Sequence, residues 1–313
     1  MQITSVINYK GGVGKTSVTA NLAARLAWLG YRILLIDMDA QASLTFSFIK
    51  PEVWQSQYAN QKTIKRWFDA ITQHESFSLK SLVFTPEPVN SSIRSSRNGG
   101  RLDLIASDLG LINVDLDLAS QLGGTSINLI KTNHLKVHRR LLEGLKEISE
   151  DDYDLILIDC PPNFNIVTKN AIISSDNILI PAKSDYLSTL GIDYLMRSVK
   201  KLVEEFNDFS KIGDDQNIQL IDPKVLGVVF TMIDIRSGDV ISALRPFIRQ
   251  TERLGLPVFE QKLRENKTIY AEAPQYGVPV VLGYYSNTTH KDVVEELKVF
   301  ADQFVTESGL QRR

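Results

Sequence analysis

Six short runs of branched apolar residues punctuate the chain, at positions 3–7, 33–36, 102–105, 155–158, 178–180 and 225–230. Four of them are unbroken or interrupted only by Gly227, as strands buried on both faces are, while Thr4, Ser5 and Asp103 interrupt the other two. Between them the apolar spacing becomes helical. Leu22, Leu26 and Leu29 make one stripe, and Leu135, Leu141, Leu142, Leu145 and Ile148 make another. Near the end, Val293, Val294, Leu297, Phe300, Ala301 and Phe304 share a face while Lys291, Glu295, Glu296 and Lys298 lie elsewhere, so this helix should pack on a sheet. Strands alternating with helices predict an α/β fold: a doubly wound, mostly parallel sheet flanked by helices.

Positions 46–101 break this rhythm. Trp54, Tyr58, Trp67 and Phe68 precede a polar, serine-rich run at 90–100, which reads as an inserted helical element ending in a mobile loop. No repeat or sharp change of composition marks a second unit, so residues 1–313 read as one domain carrying that insertion. With 43% apolar residues the chain can fill a substantial core. Its 35 basic and 37 acidic residues, a net charge of −2, exclude a global pull toward nucleic acid or membrane, and any polyanion site must be a local patch. The single cysteine, Cys160, excludes an intramolecular disulfide and a four-cysteine zinc site, in keeping with a reducing cytosol. No basic leader with an apolar stretch precedes the first strand, and no apolar run approaches the roughly 20 residues of a membrane helix. A cytoplasmic protein is expected.

The first strand runs into Asn8-Tyr9-Lys10-Gly11-Gly12-Val13-Gly14-Lys15-Thr16, and the first helical stripe follows at once. Strand, glycine loop and helix are what phosphate binding needs. Glycines let successive N–H groups converge on phosphate oxygens, and the helix N-terminus adds partial positive charge. Lys15 then reaches the β and γ phosphates of ATP, and the Thr16 hydroxyl ligates Mg²⁺. The usual loop starts with glycine where Tyr9 stands, and Lys10 is an extra lysine. Lys10 is either a solvated loop charge or a group that reaches a nucleotide held by a second subunit.

Two more strands end in carboxylates, Asp37-Met38-Asp39-Ala40-Gln41 and Asp159-Cys160-Pro161-Pro162. An apolar strand delivering one aspartate to a metal shell suits Asp159, and Asp37 is a second Mg²⁺ candidate. Both could instead be helix caps. Hydrolysis also needs a group that aims water at the γ phosphate, and Asp39 is best placed, with Gln41 either assisting or serving as a turn residue.

These motifs resemble the ParA/Soj family of partition ATPases, and the likeness extends through 102–118, 170–190, the stretch Thr231-Met232-Ile233-Asp234 and Ala271-Glu272-Ala273-Pro274. The resemblance implies that residues Lys10 to Ser17 hold nucleotide, that Lys10 crosses an ATP sandwich in a homodimer, and that Gly11 and Gly12 let two loops approach. It makes Asp39 the water-positioning aspartate and puts Thr231 and Asp234 beside the adenine. It further implies nonspecific double-stranded DNA binding on the nucleoid, and a ParB-like or other cargo-adaptor protein that stimulates hydrolysis. The segment 46–101 is longer than in compact chromosomal members, and no DNA-reading domain precedes the loop, so operator-specific repression is not expected.

Arg245, Arg249 and Arg253 recur every four residues as the candidate DNA contacts, with Arg236, Lys262, Arg264 and Lys267 nearby in sequence. They could equally be a solvated helix face, and Pro246 either kinks or starts that helix. A membrane-associated positioning ATPase of the MinD kind is the alternative. It would need a basic amphipathic tail, and positions 305–313 offer one leucine and two arginines, so no stable membrane association is expected. Iron-protein reductases share the loop but need paired cysteines, which one Cys160 does not supply. His134 and His138, one helical turn apart, read as a solvated face rather than a zinc site.

Overall fold

The computed structural model describes residues 1–59, 61–73, 75–212, 218–236 and 239–312. The six apolar runs become β1 (Gln2–Val6), β2 (Arg32–Asp37), β3 (Arg101–Ile105), β4 (Leu155–Asp159), β5 (Asn177–Lys183) and β6 (Lys224–Thr231), in the order β3-β2-β4-β1-β5-β6. Every pairing among them is parallel. A small antiparallel ribbon, β7 (Ile235–Arg236) with β8 (Asp239–Val240), follows.

The period-two alternation of a strand feeds two cores. Ile33, Leu35, Leu155, Leu157 and Leu179 meet Leu22 and Leu26 of α1 (Lys15–Trp28) on one face. Leu34, Ile36, Ile156, Ile158, Ile178 and Ile180 line the other. After β2 come α2 (Ser43–Phe46), α3 (Pro51–Gln57), α4 (Ile64–Thr72) and α5 (Glu87–Arg94), and after β3 come α6 (Leu111–Ser120), α7 (Ile127–His138) and α8 (Arg140–Leu145). Then α9 (Ile166–Ile173) joins β4 to β5, α10 (Tyr186–Ile212) joins β5 to β6, and α11 (Arg245–Glu252), α12 (Lys267–Tyr276) and α13 (Thr288–Ser308) complete the chain. Among the described residues no helix is long and apolar enough to cross a membrane.

Four local expectations change. The serine-rich run at 90–100 is not all loop, because α5 extends to Arg94. Buried Val89 and Ile93 anchor it, and the Asn90 amide donates to Pro86 O and Leu102 O at 2.7 and 2.8 Å. The stripe from Leu135 to Ile148 is not one helix either. It breaks at Arg139, between α7 and α8, where the buried side chain of Asn170 accepts from Leu141 N (3.1 Å) and donates to Val137 O (3.1 Å). Those bonds satisfy backbone groups that a continuous helix would pair internally. His134 and His138 are no solvated face: His138 is 1% exposed, and the two rings lie 4.1 Å apart between α7 and Phe209 of α10. Glu296, expected away from the packed face of α13, is buried because Arg264 pairs with it.

The sheet edge at β6 is covered by positions 257–265, whose backbone bonds to Val228, Phe230 and Ile233. Gly227 permits this close approach: its φ is 153°, and a Cβ there would stand 3.1 Å from Pro257 O and the Phe259 ring.

Candidate functional site

Asn8 fixes the mouth of the loop. Buried at the end of β1, it donates to Pro181 O at 2.8 Å and accepts from Lys10 N at 2.9 Å, tying the loop to β5. Gly12 (φ 65°) and Gly14 (φ 80°) occupy the left-handed region, which a Cβ disfavours. Gly14 caps α1 without a side-chain bond, so the first N–H groups of the helix have no side chain across them. Buried Lys15 extends Nζ over the loop carbonyls, 3.3 Å from Asn8 O and 3.4 Å from Lys10 O. Burial lowers its pKa, opposed by the nearby carboxylates of Asp159 and Asp39.

Asp37 and Asp159 face each other as register partners on β2 and β4. Asp159 accepts from Thr16 Oγ1 at 2.7 Å. Burial raises its pKa, and Asp37 adds to the rise. Asp37 is wholly buried and pushed up to about 7, burial being the main cause. Its oxygens take Thr45 N (2.8 Å), Thr45 Oγ1 (2.7 Å) and Asp39 N (3.1 Å), so it caps α2 as well as facing the loop. Two buried carboxylates beside one buried lysine are an environment that a divalent cation fits. Mg²⁺ at such a site keeps waters and phosphate oxygens as ligands, so the protein need supply only a donor or two. Thr16 and Asp159 are the pair in position to do so.

Asp39 is half-exposed just beyond, with its Oδ1 accepting Gln41 N at 2.9 Å and its carbonyl accepting Ser107 Oγ at 2.7 Å. The turn places its carboxylate at the carboxyl edge, near Lys15. Lys10 is paired within its own chain. Its Nζ lies 2.8 and 2.7 Å from the two carboxylate oxygens of Asp185 and 3.2 Å from Ser188 Oγ, at the start of α10. Burial alone would raise the pKa of Asp185, but the hydrogen bonds from Lys10 and Ser188 hold it below the usual range.

A family described as an AAA domain, AAA_31, matches residues 1–212. The chain belongs to this family. It is 28% identical over 287 residues to the sporulation initiation inhibitor protein Soj of Bacillus subtilis (strain 168), covering 90% of each. To the chromosome partitioning protein ParA of Caulobacter vibrioides (strain NA1000 / CB15N) it is 27% identical over 282 residues, 90% of this chain and 87% of that one. The apo McdA structure from Cyanthece superposes with a TM-score of 0.69 at 19% identity, covering 97% of this chain and 99% of that one, a likeness of fold. The resemblance to ParA/Soj partition ATPases therefore holds over most of the chain. This AAA-domain protein is an ATPase.

The remaining candidates fall in different places. Thr231 is buried against Gly14, its hydroxyl donating to Val13 O (2.8 Å), so it fastens the loop. It also lines a cavity of about 230 Å³ with Ser17, Val18, Met232, Leu263, Arg264, Tyr270 and Leu297, whereas Asp234 does not. Asp234 is exposed beyond the cavity, because Met232 turns the chain with φ 53° before it. Arg245, Arg249 and Arg253 are all exposed on α11 and its C-cap, while Ile248 and Thr251 are buried beneath them. Pro246 starts that helix rather than kinking it. Arg264 is held by Asp292 and Glu296.

Sequence reasoning missed Asp185 and the cavity residues at 263–270. Asp185 carried one signal, a carboxylate where a strand ends and a helix begins. The cavity carried none, since its walls come from four distant stretches of chain.

Proposed function

We propose that this chain is a partition-type switch in which ATP drives homodimerisation, Lys10 of each copy reaching the nucleotide held by the other. The observation behind this reading is the mouth of the loop. Lys15 covers its own loop, while Lys10 points away from it toward Asp185. Gly11 is exposed, lacks a left-handed φ and has nothing within 4 Å of where a Cβ would be. Its own fold does not require glycine there, which supports a close approach to the loop by a second copy. Exposed Tyr186, Leu187 and Leu190 flank this mouth, an apolar surface of the kind subunits cover.

In this reading Lys15 and the first N–H groups of α1 bind the β and γ phosphates, and Thr16 and Asp159 hold Mg²⁺, with Asp37 contributing field and support. Mg²⁺ supplies charge neutralisation on the phosphate oxygens. Asp39 orients water. Duplex DNA is held without sequence preference by Arg245, Arg249 and Arg253, and pairing two α11 faces in a dimer doubles the basic surface of an acidic chain. A ParB-like adaptor bound to plasmid, chromosome or protein assembly stimulates hydrolysis and release.

The test is retention on random duplex DNA with ATP, ADP or no nucleotide. Retention with ATP alone is expected; equal retention in all three conditions contradicts the switch.

A further inference from the structure

We propose that Arg264 is the platform on which the nucleobase lies, and that α13 holds it in position. This rests on reading the cavity beside Gly14 and Ser17 as the base end of the nucleotide site.

The cavity opens onto the first turn of α1, so a ligand whose phosphates occupy the loop has its other end there. At about 230 Å³ it is smaller than the several hundred Å³ of a pocket for a whole ligand, and it suits one ring system of a longer one. Val18, Met232, Leu263 and Leu297 make it apolar, and Arg264 lies among them. An arginine beside a triphosphate is ordinarily drawn to the phosphates. This one is already engaged: Nε donates to Glu296 Oε1 at 2.6 Å, Nη1 to Asp292 Oδ2 at 3.0 Å, and its backbone N to Glu296 Oε2 at 2.9 Å. Both carboxylates belong to α13, which packs on the sheet through Leu297, Phe300 and Phe304. The backbone is fixed too, since Ile233 and Arg264 form a parallel bridge beyond the end of β6. A neutralised, immobilised guanidinium offers a planar π-face rather than a mobile charge, and planar guanidinium groups stack on bases. Glu296 and Asp292 are therefore positioning residues, and base occupancy bears directly on α13.

The experiment compares equilibrium binding of ATP and of tripolyphosphate, which lacks a base, to the full chain, with circular dichroism as the check on folding. Arg264→Ala should weaken ATP by about 2- to 30-fold, the range of a cation–π contact, and leave tripolyphosphate within about twofold. Arg264→Lys should lose ATP affinity to a similar degree, because a point charge has no planar face. Glu296→Gln should give a smaller loss confined to ATP. Equal losses for both ligands, or full ATP affinity in Arg264→Lys, would overturn the platform. If the unaltered chain binds tripolyphosphate as tightly as ATP, the base reading of the cavity fails, whatever the variants do.

Discussion

Lys10 and Asp185 form a salt bridge inside one subunit, with Nζ 2.8 and 2.7 Å from the two carboxylate oxygens. Asp185 Oδ1 also accepts Ser188 N at 2.8 Å and so caps α10. A lysine that must cross to a partner has to leave this pair first. The two side chains are 32% and 40% exposed, and pairs of that kind contribute only about 0.2–1 kcal/mol. Asp185→Asn keeps a good cap while removing the charge. Because each dimer breaks two such pairs, it should let ATP-driven dimers form at protein concentrations up to about thirtyfold lower, read by analytical ultracentrifugation. A weaker dimer in this variant would mean that Asp185 works across the interface instead.

Asp39→Ala should bind Mg²⁺-ATP and dimerise but turn over slowly. Losing a group that positions water costs roughly 10²–10⁴ in rate, and Asp39 makes no bond to Lys15 or Thr16 whose loss would empty the loop. Single-turnover hydrolysis after confirmed nucleotide binding checks this, and unchanged turnover moves the role to another residue.

Arg249→Glu should weaken binding to random duplexes of every sequence alike. Neutralising Arg249 to Gln should lower the log–log salt slope by about 0.9 for each DNA phosphate that the side chain no longer neutralises, or about twice that in a dimer. Fluorescence anisotropy across a salt series reads both effects, while ATPase activity without DNA persists. Affinity unchanged in Arg249→Glu removes α11 from the interface.

The buried histidine gives a pH dependence. Burial, reinforced by His134, pushes His138 down to about 3, against about 6.5 in an unfolded chain. Its folded pKa is depressed and its neutral form is the one the fold accepts, so its contribution is full above about pH 6.5 and is lost as pH falls toward 3. At pH 5 the loss is about 2 kcal/mol. Denaturant unfolding from pH 7 to pH 5 should show this slope, and His138→Gln should flatten it. An unchanged slope in the variant assigns the acid sensitivity to other groups.

The six strands were legible because a parallel sheet covered on both faces makes most of its strands near-continuous apolar runs, even where Thr4, Ser5 and Asp103 interrupt them. The loop was legible because phosphate binding is local, needing glycines, a lysine and a helix start within ten residues. What stayed hidden depends on distance along the chain. Asn170 takes over backbone groups about thirty residues away, and that break is invisible in the leucine spacing of 135–148. Arg264 reads as one more basic residue until α13 places Asp292 and Glu296 beside it. His134 and His138 carry the polar pattern of a surface, yet His138 is buried and His134 half-buried, with Phe209 of α10 against the His134 ring.

The central claim is that the two lysines of one loop serve different subunits. Light scattering at matched ATP saturation, with nucleotide binding measured on the same samples, tests it most directly. Lys15→Ala should fail to bind ATP and so remain monomeric. Lys10→Ala should bind ATP nearly as well as the unaltered chain yet remain monomeric. A Lys10→Ala protein that dimerises normally with ATP would contradict the account.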